Sequence, residues 1–588
     1  MEKVNRIRGL WMLAWLMALM PVVSWAAERM ELTADTIAAR FDNQRYMYPQ
    51  EKLHVVTDKE EYIAGSDSIW LRIFVVDAAS HKPVDVSRYV YVELRDPMNR
   101  VADRVKVMCR NGIYAGCIPL YSALAEGDYM LSAYTRFAES AGEKYFFKKN
   151  VKVYSPYRVV SEISLDIDSV KGLATIRYTD IATGEPKKFG VLECLTLSGN
   201  NYESQNGKGG KRIKVDAING DVVMVRFDHY ARYFTITPQK HDFDVTFHPE
   251  GGYMIAGEPC RIAFKAVDSS GRGCDVTVRV TDSDGHEIAT SSSIHRGMGM
   301  MVMVPEAGVR YSAEAVDGNG FSKVFDMPMA ATDRSVIRVD NRAGTLSITT
   351  AGVPVTDDGF VVLQCRGNMI MHTPVVKSQP INVDKRLLPE GIIQALLIDS
   401  RGTVLSDRLV FVAHDDGGNT ASLTLPLTAV STRSEVEASV SMPDGMPAGD
   451  FAVTVTDNDK VTTEPSTDIR AQLLLQGDLT GHVEYPLEYF TDPTDSQMRL
   501  ALDILMMTQG WHRYDIPDML AGRMSEPKSY IEQGQELTGI IKSRWRGKPM
   551  TDATINALAP KAGYAGTAMT DADGRFHLSG VDFPEDTK

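Results

Sequence analysis

The residues that could do chemistry fall into a few clusters. His241-Asp242-Phe243-Asp244 with His248 and Glu250 is the densest group of metal-type ligands. On a strand Asp242 and Asp244 share a face, as do His248 and Glu250 if the strand continues, which would let them approach a divalent cation. The Asp-Phe-Asp-Val-Thr-Phe alternation also describes a strand with one wet face, and a wet strand face is expected. Asp282-Ser283-Asp284-Gly285, Asp457-Asn458-Asp459 and Asp571-Ala572-Asp573-Gly574 have the acidic spacing of calcium loops. Each lacks the first acidic ligand or the distal Glu of an EF-hand, so hairpin turns are expected. Gly207-Lys208-Gly209-Gly210-Lys211-Arg212 is glycine-rich and basic. Without the spacing of a phosphate loop or its Ser/Thr, it is expected to be a solvated basic hairpin.

Nucleophilic chemistry has no better footing. There is no G-x-S-x-G elbow and no H-E-x-x-H helix. The six cysteines, Cys109, Cys117, Cys194, Cys260, Cys274 and Cys365, show no C-x-x-C spacing, and none is followed by Gly. Cys260 and Cys274 flank a turn at Asp268-Ser269-Ser270-Gly271, but that turn sets Cys274 opposite a residue near Val267, several positions from Cys260. Scattered free thiols are expected rather than a disulfide framework. No catalytic residue, cofactor ligand or metal ligand is therefore assigned, no cofactor is expected, and a non-enzyme is expected. Of six Trp, Trp70, Trp511 and Trp545 lie outside the N-terminal segment, and the first two are expected in the core. They do not indicate a sugar-stacking platform.

The elements that would carry these residues are mostly strands. Between Tyr48 and Asp457 period-2 alternation and Gly/Pro/Asn/Asp punctuation dominate. Ile69, Leu71, Ile73 and Val75 point one way and Trp70, Arg72, Phe74 and Val76 the other. Val90, Val92 and Leu94 alternate with Tyr89, Tyr91 and Glu93 before the turn Asp96-Pro97-Met98-Asn99. A weak repeat supports division into modules. Leu124-Ala125-Glu126-Gly127-Asp128-Tyr129, Val304-Pro305-Glu306-Ala307-Gly308, Leu388-Pro389-Glu390-Gly391 and Met446-Pro447-Ala448-Gly449 each read as a tight turn opening a strand. Two helical pieces interrupt: a leader helix over Glu31 to Tyr48, and a helix over Thr494 to Gln509. The second has Thr494-Asp495-Ser496-Gln497 as a capping box and Gly510 as its C-terminal glycine. It is apolar on both sides, which predicts a helix docked between sandwich domains.

The chain has 588 residues and a formal charge of −14. Length predicts several domains, and an acidic balance spread along the chain argues against a nucleic-acid surface. Lys3, Arg6 and Arg8 precede an apolar run from Leu10 to Trp25 that ends Ser24-Trp25-Ala26, the pattern of a cleaved export signal. No Cys follows it, so a lipoprotein anchor is not expected.

His54-Val55-Val56-Thr57-Asp58-Lys59, Tyr62, Gly65 and Ile69-Trp70 resemble the opening of macroglobulin-like domains. The stretch from His248-Pro249-Glu250-Gly251-Gly252 through Phe264-Lys265-Ala266, Gly271, Asp282 and Gly297-Met298-Gly299 to Pro305-Glu306-Ala307-Gly308 resembles another. Gly539, Gly547-Lys548-Pro549, Ala553 and Thr570-Asp571-Ala572-Asp573-Gly574-Arg575-Phe576-His577-Leu578 resemble a carboxypeptidase-regulatory-like β-sandwich. Preceded by Leu505-Met506-Met507-Thr508-Gln509-Gly510-Trp511-His512-Arg513-Tyr514, the combination is similar to exported multi-domain proteins of Bacteroidetes. In many of those a TonB-receptor plug-like domain follows. Macroglobulin protease traps use a Cys-Gly-Glu-Gln thioester, which this sequence lacks. The last module is short for a closed sandwich, and the expectation is that the sequence is a fragment.

These readings predict a mainly β fold: a tandem array of antiparallel β-sandwich (macroglobulin/Ig-like) domains with one buried helical insertion near 494–509. The expected order is a signal peptide 1–26, a helical leader 27–48, a macroglobulin-like sandwich 49–155, a sandwich 156–245, a macroglobulin-like sandwich 246–330, a sandwich 331–416, a sandwich with helical insertion 417–530 and a regulatory-like sandwich 531–588. The expected function is a non-enzymatic binding or scaffold protein of the periplasm, outer membrane or cell surface, with a protein or glycan partner. By resemblance it would be linked to TonB-dependent transport. The alternative is an envelope enzyme or protease-interacting protein whose catalytic part lies beyond residue 588. Intact-mass analysis of the exported form is expected to give a chain starting at Ala27, and retention of Met1 in a cytoplasmic product would remove the export reading.

Overall fold

Alternation in Ser68–Asp77 sets the first sandwich. Ile69, Leu71, Ile73 and Val75 are all buried in one core with Val90, Val92, Leu94, Leu131 and Val153. The computed structural model describes residues 33–238, 241–354, 359–376, 379–414, 421–425, 431–445, 449–457, 467–492, 494–511, 513–524, 527, 529, 531–560 and 563–581. The expected signal segment lies outside them. Among the described residues no helix is long and apolar enough to cross a membrane.

Eight strands from Glu51–Thr57 to Phe147–Tyr154 build this module. The ten-residue strand Val101–Arg110 pairs with Tyr89–Arg95 on one side and, through its last two residues, with Ile113–Pro119 on the other, so it carries the chain around the corner between two sheets. Because the apolar residues at odd positions fix the strand's parity, Trp70 is turned to solvent. It is 60% exposed, which corrects the expected core role.

The next three modules share one topology. Each has seven strands, the first, second and fifth in a three-stranded sheet and the fourth, third, sixth and seventh in a four-stranded one. They run from Ser161–Asp168 to Tyr230–Ile236, from Phe243–Pro249 to Ser322–Asp326, and from Ser335–Asn341 to Val404–Val412. Two sheets facing each other bury the alternate residues of both, and each module has its own core. Phe243–Pro249 pairs along its length with Cys260–Asp268, so the third sandwich begins ahead of residue 246.

Three of the repeated turns fall at equivalent corners. They precede Gly127–Thr135, Ser312–Asp317 and Gly391–Ile398, the latter two being the sixth strands of their modules. In two cases a tyrosine fixes the corner: Tyr129 Oη donates to the Ala125 carbonyl at 2.8 Å, and Tyr311 Oη accepts from the Glu306 amide at 2.9 Å. Such a tyrosine corner ties a strand to the loop that feeds it. Of the fourth turn, residues 446–448 lie outside the described residues, and the stretch from Asp450 to Asp457 that follows joins no sheet. Among the described residues between 421 and 457 the only pairing is Ser422–Thr424 with Ser439–Ser441. The final module pairs Gln535–Ile540 with Arg575–Val581, and Thr554–Ala559 with Tyr564–Met569.

Helices occupy the places that strands leave open. The leader helix Ala34–Met47 is capped by Thr33 and buries Ile37 and Phe41 against Val362, Leu396 and Met519. The second helix spans Ser496–Thr508. Its cap is Asp495, whose carboxylate accepts from the Gln497 and Met498 amides, while Thr494 turns back to Asp492. The expected Thr494 cap is therefore displaced by the stronger charged acceptor. Gly510 does not close the helix in a left-handed turn. Gln509 leaves extended (φ −113°, ψ 144°), so that Trp511 can pair with Leu479.

This helix does dock between sandwiches. Ile504, Leu505 and Met506 join Ala263 and Met298 of the third module with Leu409 and Phe411 of the fourth. Burying each such side chain contributes about 1.5–3 kcal/mol. Ile504→Ala is therefore expected to cost about 2–5 kcal/mol, and Asp495→Ala about 1 kcal/mol. Thermal unfolding checks both, and an unshifted transition for Ile504→Ala would mean that the helix is not structurally coupled to the sandwiches.

Candidate functional site

The residues with unusual chemistry lie between modules, where carboxylates are buried with cations from other parts of the chain. At one junction Lys52, on the first strand of the first module, reaches into the helical region. Its Nζ donates to Asp478 Oδ2 at 2.7 Å, to the Leu473 carbonyl at 2.7 Å and to His81 Nε2 at 3.0 Å. An ammonium has three N–H groups, and all three are used. Arg513 approaches the same carboxylate from the other side, Nε to Oδ1 at 2.7 Å, and also donates to the Gly477 carbonyl. Gln50 Nε2 donates to the Arg513 carbonyl at 2.8 Å. Lys52, Asp478 and Arg513 are 1%, 1% and 3% exposed.

Burial drives the Lys52 pKa down to about 8, against the pull of Asp478, so the ammonium remains charged at neutral pH. Burial also works against Asp478, yet the Lys52 and Arg513 charges and hydrogen bonds hold it down to about 2. His81 is pushed down to about 3 by burial, reinforced by the Lys52 and Arg366 charges. It must stay neutral for Nε2 to accept the hydrogen bond from the Lys52 ammonium. His54, in the same strand as Lys52, is lowered to about 4 by burial with Lys149 adding to it. Arg366 extends the junction to the fourth module, donating from Nε to the Ala79 carbonyl at 2.9 Å.

A second junction centres on Glu250, in the turn after Phe243–Pro249. Arg261 holds it with both nitrogens of its fork, at 2.7 and 2.9 Å. The Val339 amide (3.1 Å) and Arg408 Nε (3.2 Å) reach it from the fourth module. Arg408 then donates to Asp503 of the docking helix at 2.9 Å. The next residue, Gly251, has φ +74°, and a Cβ there would lie 2.6 Å from the Ile337 carbonyl oxygen. Only glycine allows the turn to sit this close to the neighbouring module.

Two further junctions also centre on a carboxylate, buried at Glu126 and partly buried at Glu532. Glu126 binds the second module through Tyr230 Oη at 3.2 Å and two backbone hydrogen bonds, Glu126 N to Ala231 O (2.8 Å) and Tyr233 N to Glu126 O (2.7 Å). Glu532, on the way into the last module, accepts from Lys106 Nζ at 2.7 Å and Tyr91 Oη at 3.0 Å of the first.

The residues singled out as ligands are dispersed among these roles. His241 pairs with Asp317 (2.6 Å), Asp242 with Lys323 (2.8 Å), His248 with Thr246 (2.9 Å), and Glu250 closes a module junction. Asp282 and Asp571 are turn residues: one oxygen of each accepts amides two and four residues on. Asp282, Asp284 and His286 do approach one another, on an exposed turn. The Asp457-Asn458-Asp459 motif extends outside the described residues.

The basic glycine-rich run is a corner rather than a hairpin. Tyr202–Lys208 belongs to the four-stranded sheet and Gly210–Lys214 to the three-stranded one, with Gly209 (φ +86°) between. All six cysteines are free thiols, and Cys274 lies opposite Ala266, well along the strand from Cys260.

The ion-pair residues Lys52, Arg408, Asp478 and Arg513 are not legible as a site in the sequence. Lys52 stands on the face of its strand opposite Leu53 and Val55, where an isolated sandwich would meet solvent. Arg408 carries a weak signal, because it shares the parity of the core residues Val410 and Val412 and so breaks the alternation. Arg513 carries another, since it lies in the Leu505–Tyr514 segment that follows the docking helix.

No protein-family model matches this chain, and no curated protein matches it in sequence. Among solved structures it is similar to Salmonella alpha-2-macroglobulin reacted with methylamine, at 13% identity and TM-score 0.27, over 68% of this chain and 32% of that one. It is also similar to trypsin-activated alpha-2-macroglobulin from Escherichia coli, at 14% identity and TM-score 0.28, over 68% and 33%. A tetra-tandem repeat from the extending region of a large adhesion protein matches at 16% identity and TM-score 0.17, over 62% and 99%. The chain thus spans about a third of the length of these macroglobulins. The fold assignment rests on the strand pairing described above.

Asp478→Asn would leave Lys52 and Arg513 buried without a counter-charge, at an expected cost of about 3–5 kcal/mol. A loss below about 1 kcal/mol in thermal or urea unfolding would show that this carboxylate does not hold the junction. The histidines set a pH dependence. His81 and His54 have folded values below the unfolded value of about 6.5, so the unfolded chain binds more protons as pH falls from there toward 3–4. Stability is full above that window and is expected to fall through it by on the order of 1.4 kcal/mol per pH unit for each histidine. Asp478 adds a further loss below its ordinary value of 3.8. Melting temperatures from about pH 3.5 to about pH 7.5 measure this, and a flat profile would contradict the buried neutral histidines.

Proposed function

We propose that this protein is an exported, non-catalytic scaffold of the cell envelope, whose sandwiches are locked into one unit and present binding surfaces on their exposed faces and loops. The observation that carries this reading is the set of charged junctions. Lys52–Asp478–Arg513 and Glu250–Arg261–Arg408 spend buried charge on holding modules together rather than on a reacting group. A buried ion pair contributes little net stability compared with apolar packing, but it penalises arrangements that separate the partners. That property suits a protein that must present surfaces in a fixed relation.

The finer placement rests on sequence. The N-terminal export pattern supports the envelope, and the motifs of the last module support a regulatory-like domain working at the outer membrane with TonB-linked transport machinery. Its partner there would be a protein or glycan. Loops and outer faces of such sandwiches tolerate variation and carry recognition.

Small-angle scattering tests the locked arrangement. The wild-type curve is expected to fit one arrangement of modules from low salt to about 0.5 M salt, because pairs this buried are screened little. Arg408→Met combined with Asp478→Asn is expected to increase the radius of gyration. A wild-type curve that requires freely jointed modules would overturn the scaffold reading. Fractionation followed by protease treatment of intact cells tests the location. Protein in the outer-membrane fraction supports it, and protein confined to the cytoplasm contradicts it.

A further inference from the structure

The last module carries a loop whose side chains serve neither a core nor a junction. After the strand Gln535–Ile540 the chain reverses at Arg544-Trp545-Arg546. Ser543 N–H donates to the Lys548 carbonyl at 2.8 Å, Gly547 N–H to the Ser543 carbonyl at 2.9 Å and Met550 N–H to the Ile541 carbonyl at 2.9 Å. Gly547, at φ +63°, takes the left-handed conformation that the reversal needs. The loop is therefore held by its own backbone. Trp545 at its tip is 95% exposed, and an indole left in water keeps a large apolar area that folding has not removed.

The same stretch is basic within an acidic chain. Residues 537–551 contain Lys542, Arg544, Arg546 and Lys548 and no Asp or Glu, while the whole chain carries −14. All four cations are exposed, and among the described residues none has an ion-pair partner. They stand one and three residues to either side of Trp545, so both arms of the reversal bring charge up to the indole. The acidic turn of Asp571 and Asp573 lies at the base of the loop, where Ile541 N–H donates to the Gly574 carbonyl at 2.8 Å. Asp571 is engaged there with the Asp573 and Arg575 amides.

This arrangement selects its occupant by three requirements. The occupant must be anionic on both sides of the indole, must take up the indole itself, and must do so against a projecting tip that offers no groove. A protein face would need a pocket of matching shape ringed by carboxylates. An anionic phospholipid surface meets all three at any point: its phosphates attract Lys and Arg, and the layer just beneath them is where Trp settles most favourably. The long stems of Lys and Arg let the charged heads stay at the phosphates while the indole enters.

We propose that loop 542–549 docks the last module on an anionic phospholipid surface, with Trp545 in the interfacial layer and Lys542, Arg544, Arg546 and Lys548 at the lipid phosphates. The inference gives the envelope reading a contact surface and rests on that reading only for its setting. Lipid binding is measured on the purified chain whatever the arrangement of the modules in scattering, and its failure would leave the locked arrangement standing.

Vesicle flotation tests it, with phosphatidylcholine vesicles and vesicles of equal parts phosphatidylcholine and phosphatidylglycerol. The chain starting at Ala27 is used, so that the N-terminal apolar run does not itself partition. Binding to the anionic vesicles is expected at low salt, weakened at about 0.5 M salt, with a blue shift of tryptophan emission. Trp545→Ala is expected to remove that shift and weaken binding by about tenfold or more. Arg544→Gln and Arg546→Gln are each expected to weaken it by about fivefold. Trp70→Ala, at the other strongly exposed tryptophan of this form, should leave it unchanged. These side chains are exposed, so the variants should fold, and unchanged melting temperatures establish that. No flotation with anionic vesicles, equal flotation with neutral ones, or equal affinity of wild type and Trp545→Ala would overturn the proposal. Equally tight binding to soluble polyglutamate would also overturn it, in favour of an acidic protein partner.

Discussion

Asp478 can be buried only because two cations reach it from different parts of the chain. Lys52 comes from the first strand of the first sandwich and Arg513 from the segment after the docking helix. Once the junction is closed, removing any one of the three charges would leave the others buried without full compensation, so the first module and the helical region depend on each other there. Arg366 then ties the same place to the fourth module. A tandem array joined in this way folds back on itself: its first module touches the second through Glu126, the fourth through Ala79, the helical region through Lys52 and the entry to the last module through Glu532.

Apolar packing supplies most of the free energy at these contacts, and the ion pairs supply selectivity. The docking helix shows the division of labour. Its Ile504, Leu505 and Met506 fill the space between the third and fourth sandwiches, a nondirectional contribution that many helix orientations could provide. Asp503, one residue away, accepts from Arg408, which also binds Glu250. That chain of charges allows one orientation. Gly251 completes the constraint by letting the Glu250 turn come against the Ile337 backbone.

Strand chemistry is legible in the sequence because each sandwich is a local solution to alternation. Ile69, Leu71, Ile73 and Val75 bury as their parity requires, and the Pro/Gly turns mark equivalent corners. Trp70 misleads because a large aromatic side chain suggests burial, while the parity of its strand forbids it. The junctions are illegible for the opposite reason. Lys52 looks like a solvent position within its own strand, and the carboxylate that meets it lies 426 residues away. Arg408 interrupts an apolar parity, which marks it as unusual without naming Glu250 or Asp503 as its partners. Periodicity reports which face a residue takes, and it carries no information about what will cover that face.

The same distinction explains why an acidic chain rich in Asp motifs yields turns. Asp96, Asp268, Asp282, Asp317, Asp399 and Asp571 each use one oxygen to accept backbone amides two and four residues on. An Asp in this position organises its own loop, satisfying amides that a tight connection would otherwise leave to water. Much of the negative charge is thus committed to local geometry, and the buried carboxylates are committed to junctions. The unpaired cations around Gly209 have neither use. Lys188, Lys208, Arg212 and Lys214 are exposed on the second sandwich and have no part in turn or junction.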